Sequence, residues 1–144
     1  MKVKQTSQKT LQNRGEEIME DKYYKSCPEF DRCNELMEKY WEKGDYEKCF
    51  EGHMELAKKG YPLAECQVGY FYWKGIGVKI DLEQAVYWTK LSAEHGDWDA
   101  QYNLGEFYEK GIGVEQDMKK AMHWYQMAAA QGQDEALARL GLSN

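Results

Sequence analysis

The sequence predicts an all-α protein, an α/α superhelical solenoid of stacked helical hairpins. Three observations carry that prediction. A unit of 36 residues recurs without a gap, residues 61–96 returning as 97–132. Each copy holds two stretches of helical periodicity parted by a glycine-rich turn. The composition also fits: two prolines, 14% aromatic and 31% charged residues describe a folded, helix-leaning chain rather than a disordered one.

Taken in order along the 144 residues, 1–10 read as a disordered basic tail. Leu11, Ile18, Met19 and Tyr23 place an N-terminal cap helix within 11–27. Segment 28–60 is a divergent hairpin. Its Leu36, Tyr40 and Trp41, then Gly44-Asp45, then Cys49 and Ala57 to Gly60 align with the later copies if its turn is four residues shorter.

In 61–96 the first helix is expected from about Pro62 to Trp73, with proline at the opening position where no amide partner is needed. Gly75 supplies the left-handed residue that ends it, and Gly77-Val78 complete the turn. Asp81 is an N-cap for the second helix, and Gln84 three residues on completes a capping-box pattern. Ala85, Trp88 and Leu91 then form one apolar stripe that stops at Gly96. Copy 97–132 repeats each feature: Ala100 for Ala64, Gly105 for Gly69, Tyr108 for Tyr72, Asp117 for Asp81, Ala121 for Ala85 and Trp124 for Trp88. Lys-Gly-Ile-Gly-Val at 74–78 returns at 110–114. Residues 133–144 begin a further copy, with a cap helix expected from about Asp134 to Leu142.

The small residues let helix axes approach, and Tyr72, Trp88, Tyr108 and Trp124 fill the space between hairpins. A single hairpin leaves its apolar face open, so copies must stack.

Charge narrows the function classes. Net charge is −6, yet residues 1–14 hold four basic side chains and no acid, which leaves −10 on the remainder. An acidic body repels phosphate backbones and argues against nucleic acid. No stretch approaches the ~20 apolar residues of a membrane span, and no apolar core follows the N-terminal lysines, so a cytoplasmic protein is expected. Cys27, Cys33, Cys49 and Cys66 are spaced by 6, 16 and 17 residues, which matches no zinc framework; reduced, buried thiols are expected, with a Cys27–Cys33 disulfide open if the chain is exported.

Chemistry finds little footing. Gly75-x-Gly77 follows a helix, and Ile80 stands where a nucleotide loop needs its third glycine, so no nucleotide is expected. Cys49 and His53, four apart on one helix, make two ligands where structural zinc takes four. No serine lies in a nucleophile-elbow context, and the acidic pairs read as solvated surface. The chain is expected to be no enzyme and to take no metal or cofactor.

The run Ala-x-x-x-Leu/Val-Gly-x-x-Tyr, Gly-x-Gly-Val-x-x-Asp, Ala-x-x-Trp and a closing Gly resembles the sel-1-like repeat, a relative of the tetratricopeptide repeat with a 36-residue unit. The match spans 61–132 and continues into 133–142; segment 28–60 lacks the Gly-x-Gly turn and reads as a tetratricopeptide-like hairpin. The resemblance implies a superhelix that binds proteins or peptides as an adaptor or scaffold. Some bacterial members are immunity proteins that neutralise secreted toxins, which is the alternative function. The family has no shared catalytic residues. Its exported, cysteine-rich subgroup carries a regular cysteine pair that this chain lacks.

Tetratricopeptide geometry implies that the first helices line a concave face. Residues off the packing stripe are then Asn34, Glu38 and Trp41; Cys66, Tyr70 and Trp73; and Tyr102, Glu106 and Glu109. This mix of aromatics and acids fits a basic or amphipathic partner segment, with Trp41, Tyr70, Trp73 and Tyr102 as anchors. The alternative for Trp41 and Trp73 is that they complete the core. An uncovered Leu137 or Leu142 on the last helix allows a monomer or a weak dimer.

Overall fold

The computed structural model describes residues 28–142, with side chains described from residue 31. The tail 1–10, the cap helix expected in 11–27 and Cys27 lie outside the described residues. Among the described residues seven helices follow one another. The first, α1 (Pro28–Leu36), continues through a π-helical stretch (Met37–Trp41). Then come α2 (Tyr46–Lys58), α3 (Pro62–Lys74), α4 (Leu82–Glu94), α5 (Trp98–Lys110), α6 (Met118–Ala130) and α7 (Asp134–Arg139). They pair as three hairpins and a terminal half-hairpin. The second helix of each hairpin also packs on the first helix of the next.

Local chemistry sets the boundaries. Pro62 opens α3, and Gly75 closes it at φ 70°, ψ 46°, a left-handed geometry that glycine adopts without Cβ strain. Asp45, Asp81, Asp97 and Asp117 each cap a helix by accepting the backbone N–H three residues on, at 3.4, 3.2, 2.8 and 3.1 Å. The capping-box expectation is half met. The Asp81 amide donates to the Tyr72 carbonyl at 3.0 Å instead of to Gln84, and Asp117 does the same to Tyr108 at 2.9 Å. That bond closes the turn onto the end of the preceding helix. Asp45 to Tyr40, at 2.9 Å, closes the shorter first turn likewise. The last helix is shorter than expected: it ends at Arg139, because Gly141 turns left-handed at φ 72°. Leu142 is left exposed and Leu137 half-buried.

Two close approaches order the packing. At Gly69 a Cβ would run into the Thr89 side chain and lie 3.2 Å from the Ala85 carbonyl oxygen. At Gly105 it would lie 2.6 Å from the Tyr125 ring. Within each of these hairpins the helices therefore touch at backbone range, flanked by the fully buried alanines 64, 85, 100 and 121. Between hairpins, Gly113 seats its turn on the head of α4, where a Cβ would be 2.8 Å from Val86 and 2.9 Å from the Leu82 oxygen. Three apolar clusters follow, one around Phe71, one around Phe107 and one around Tyr125, and each draws on adjoining hairpins. Tyr72 and Trp88 pack on the first cluster, Tyr108 and Trp124 on the second. Cys33, Cys49 and Cys66 are buried.

Gly69→Ala and Gly105→Ala are each expected to destabilise the fold by about 1–3 kcal/mol, overpacking outweighing the better helix propensity of alanine. The loss should be larger at Gly69, where the obstacle includes α4 backbone rather than a ring alone. Urea denaturation of the two variants measures both the sign and the order.

Candidate partner-binding face

The nine candidate residues occupy the fifth, ninth and twelfth positions of the 13-residue helices α3 and α5, and the corresponding positions of α1. Spacings of four and three put each trio on one side of its helix. The structure separates these positions by what lies beside them.

Twelfth positions meet the next hairpin. The Trp41 ring stacks 6.1 Å from Phe71 and meets Tyr46 edge-on at 5.0 Å. Trp73 stands edge-on to Phe107 at 4.9 Å. Both tryptophans are half-buried, so they pack on the core clusters while keeping part of each ring in solvent. Glu109, in the same position on α5, takes Arg139 of α7 on both oxygens, at 2.7 and 2.8 Å.

Fifth positions are drawn inward. Cys66 is only 4% exposed, among Ala93, Ala100 and Leu104, and Tyr102 only 8%. Neither lines an open groove as the sequence reading expects, because the following first helix covers that side. Asn34 is half-buried with its Oδ1 enclosed. At the ninth positions Glu38 is exposed, while Tyr70 and Glu106 are half-buried, as the twelfth-position residues are. Tyr70 meets Trp73 edge-on at 6.1 Å, Lys74 lies 3.9 Å over the Trp73 ring, and Lys110 pairs with Glu106 at 2.8 Å.

Arg139 is a participant that local spacing could not reveal. Its guanidinium also donates to the Tyr102 hydroxyl at 3.1 Å and sits 5.9 and 5.4 Å from the Tyr102 and Tyr125 rings. The Tyr125 hydroxyl donates to Glu109 at 2.9 Å. Burial, then the bond to Glu109, pushes that hydroxyl well above its ordinary value, so it remains a donor. Glu109 at the edge of this face, with the buried Tyr102 and Tyr125 rings behind it, thus holds one arginine in charge-assisted bonds and cation–π contact.

The Cys49–His53 pair lies elsewhere, in the first hairpin. Cys49 Sγ is 3.7 Å from both Met37 Sδ and His53 Nδ1, and His53 Nδ1 is 2.7 Å from the Cys49 carbonyl. Burial, reinforced by Asp45, pushes the thiol up to about 11, which keeps it protonated rather than a metal-binding thiolate. Among the described residues no three His, Cys, Asp or Glu side chains gather as a metal site, and no helix is long and apolar enough to cross a membrane.

A family model described as Sel1 repeat matches residues 62–97 and again 98–133. Among solved structures, a Sel1 repeat protein from Oxalobacter formigenes is similar at 36% identity and a TM-score of 0.67, over 69% of this chain and 29% of that one. A second, c5321, is a protective antigen of uropathogenic Escherichia coli with an SLR fold; it is similar at 36% identity and a TM-score of 0.65, over 67% and 21%. Cysteine rich protein B of Helicobacter pylori is similar at 25% identity and 0.60, over 63% and 68%. The chain spans less than a third of the first two proteins. No curated protein matches it.

His53 is fully buried, and burial lowers its pKa to about 4 although its backbone bond opposes the shift. The folded chain then binds fewer protons than the unfolded one, so stability present above about pH 6.5 is lost as pH falls through about 4. His53→Leu should flatten that acid limb, removing about 2–4 kcal/mol of pH-dependent stability. Denaturant titrations at stepped pH read this directly.

Proposed function

Matched repeats make up half of its length, so the chain belongs to the Sel1 repeat family, and from that premise we propose that it binds a partner protein on the face formed by α1, α3 and α5. The Sel1 repeat fold is a general protein–protein interaction module, and its members are typically scaffolds without enzymatic activity. The finer reading is an adaptor or scaffold whose face takes a basic or amphipathic segment.

One observation carries that reading: the arginine seated between Glu109 and the rings of Tyr102 and Tyr125. A face that accepts a guanidinium from its own last helix has the chemistry to accept one from elsewhere. Glu38, Tyr70 and Glu106 extend the same acid and aromatic character along the outward positions. The half-exposed edges of Trp41 and Trp73 add apolar area, the kind of anchor that dominates interface energetics.

Purified protein used as bait in lysate of its source is expected to retain a partner that Glu38→Lys/Glu106→Gln loses while keeping a cooperative melting transition. These two positions are chosen because Trp41, Tyr70, Trp73 and Tyr102 also carry packing. Capture should weaken as salt is raised. Equal capture by both baits would place the interface off this face. The partner's identity, whether a component of an assembly or a toxin, decides between the adaptor and the immunity role.

A further inference from the structure

An acid is sealed into the first turn of α3. The Glu65 side chain is 1% exposed, with Oε1 2.7 Å from Nδ1 of His95, the residue that closes α4. Its Oε2 is enclosed and has no hydrogen-bond partner. The next repeat builds the same arrangement from neutral groups. Thirty-six residues on, Gln131 Nε2 donates to Gln101 Oε1 at 2.9 Å, and Gln101 Nε2 donates to the Ala93 carbonyl at 3.2 Å.

Register therefore matches Glu65 Oε1 with an amide oxygen and Glu65 Oε2 with an amide nitrogen. The carbonyl in the place of Ala93 is that of Ala57. Both carbonyls accept the N–H of the glycine three residues on, Gly60 at 2.9 Å and Gly96 at 3.1 Å, and a carbonyl has a second lone pair to offer. An ionised Glu65 would turn an oxygen that can only accept toward a carbonyl that can only accept. A protonated one donates there, as Gln101 does.

We propose that Glu65 is held as the neutral acid, Oε2–H donating to the Ala57 carbonyl and Oε1 accepting from His95 Nδ1–H. The first two hairpins are thereby joined by a clasp that needs a proton, whereas the Gln101–Gln131 clasp between the second and third does not. The proton is bound from water below the titration of Glu65 and returned to water above it. Burial pushes the carboxyl up, His95 pulls it down, and Asp97 at the head of α5 pushes it up again. The remaining elements packed on α3 offer no other charge here. On α2, Glu47, Lys48, Glu51, Glu55, Lys58 and Lys59 are exposed and His53 turns to Phe71; on α4, Glu83, Lys90 and Glu94 are exposed; on α1, Asp31, Arg32, Glu35, Glu38 and Lys39 are exposed.

A carboxyl raised in the folded state contributes stability that is present at low pH and lost as pH rises through its folded value. Opening the clasp loosens α3 from the first hairpin, and with it the Trp41–Phe71 seam of the binding face. This second step rests on the function proposed above; the proton itself does not.

Thermal denaturation of the wild type and of Glu65→Gln from about pH 5 to about pH 8 tests the clasp. Measured against Glu65→Gln, in which the His53 contribution is the same, the wild type should lose roughly 3–6 °C as pH rises, leaving Glu65→Gln at least as stable at the alkaline end. A carbon-13 titration should show the Glu65 carboxyl keeping its proton to higher pH than the exposed glutamates of the same chain do. An ionised carboxylate throughout, or a Glu65→Gln protein that is less stable at every pH, would overturn the proposal in favour of a permanent ion pair. Partner capture by the wild type should fall over the same interval and capture by Glu65→Gln should not. If stability behaves as stated and capture does not follow it, the clasp stands and its control of the face is refuted.

Discussion

Where Gly69 faces Thr89 and Ala85, and Gly105 faces Tyr125, the two helices of a hairpin approach so closely that one added carbon has no room. Most of the architecture depends on that proximity. With the axes drawn together, the large side chains of the first helices cannot sit inside their own hairpin. They turn instead to the seam, where Trp73 meets Phe107. A seam needs a neighbour, so hairpins stack. The glycine turns are held in the same way, Gly113 resting on the head of α4 with no space for a side chain. Small residues at a period of 36 thus set the interaxial distance, the direction of the aromatics and the stacking together.

The same geometry sorts the binding face. A residue one step toward the next hairpin becomes seam, as Trp73 and Glu109 do, and one further in becomes core, as Cys66 does. Positions between them keep an outward aspect. The face therefore offers acids and ring edges on a rigid support rather than free tryptophan anchors. Rigidity favours such a surface, because little side-chain freedom is given up when a partner arrives. At its end α7 supplies Arg139, which shows what charge and shape the face accommodates.

Much of the fold was legible in the residues because the relevant signals are local. Pro62, Gly75, Asp81 and Gly96 punctuate a hairpin by backbone chemistry that acts within four residues, and the repeat doubles each signal. The first hairpin was legible through Asp45 and Tyr40 once its turn was shortened. Less legible was anything decided by a neighbouring helix. Spacing tells which side of α3 bears Cys66, but only α5, placed against it, decides that the side is closed. Arg139 is thirty residues from Glu109 and stands opposite Asn103 and Gln67 in the register, so nothing announced the pair. Glu65 and His95 were readable in principle, since they stand where the next copy has Gln101 and Gln131; the exchange of both partners together was the signal.

Amide hydrogen exchange of the chain with and without its captured partner tests the account most directly, because it reports which helices a partner covers. Protection gained along α1, α3 and α5, strongest around Glu38, Tyr70 and Glu106, is the result predicted. Protection confined to the second helices α2, α4 and α6 would contradict it, leaving the stacked hairpins in place but moving the function to their other side.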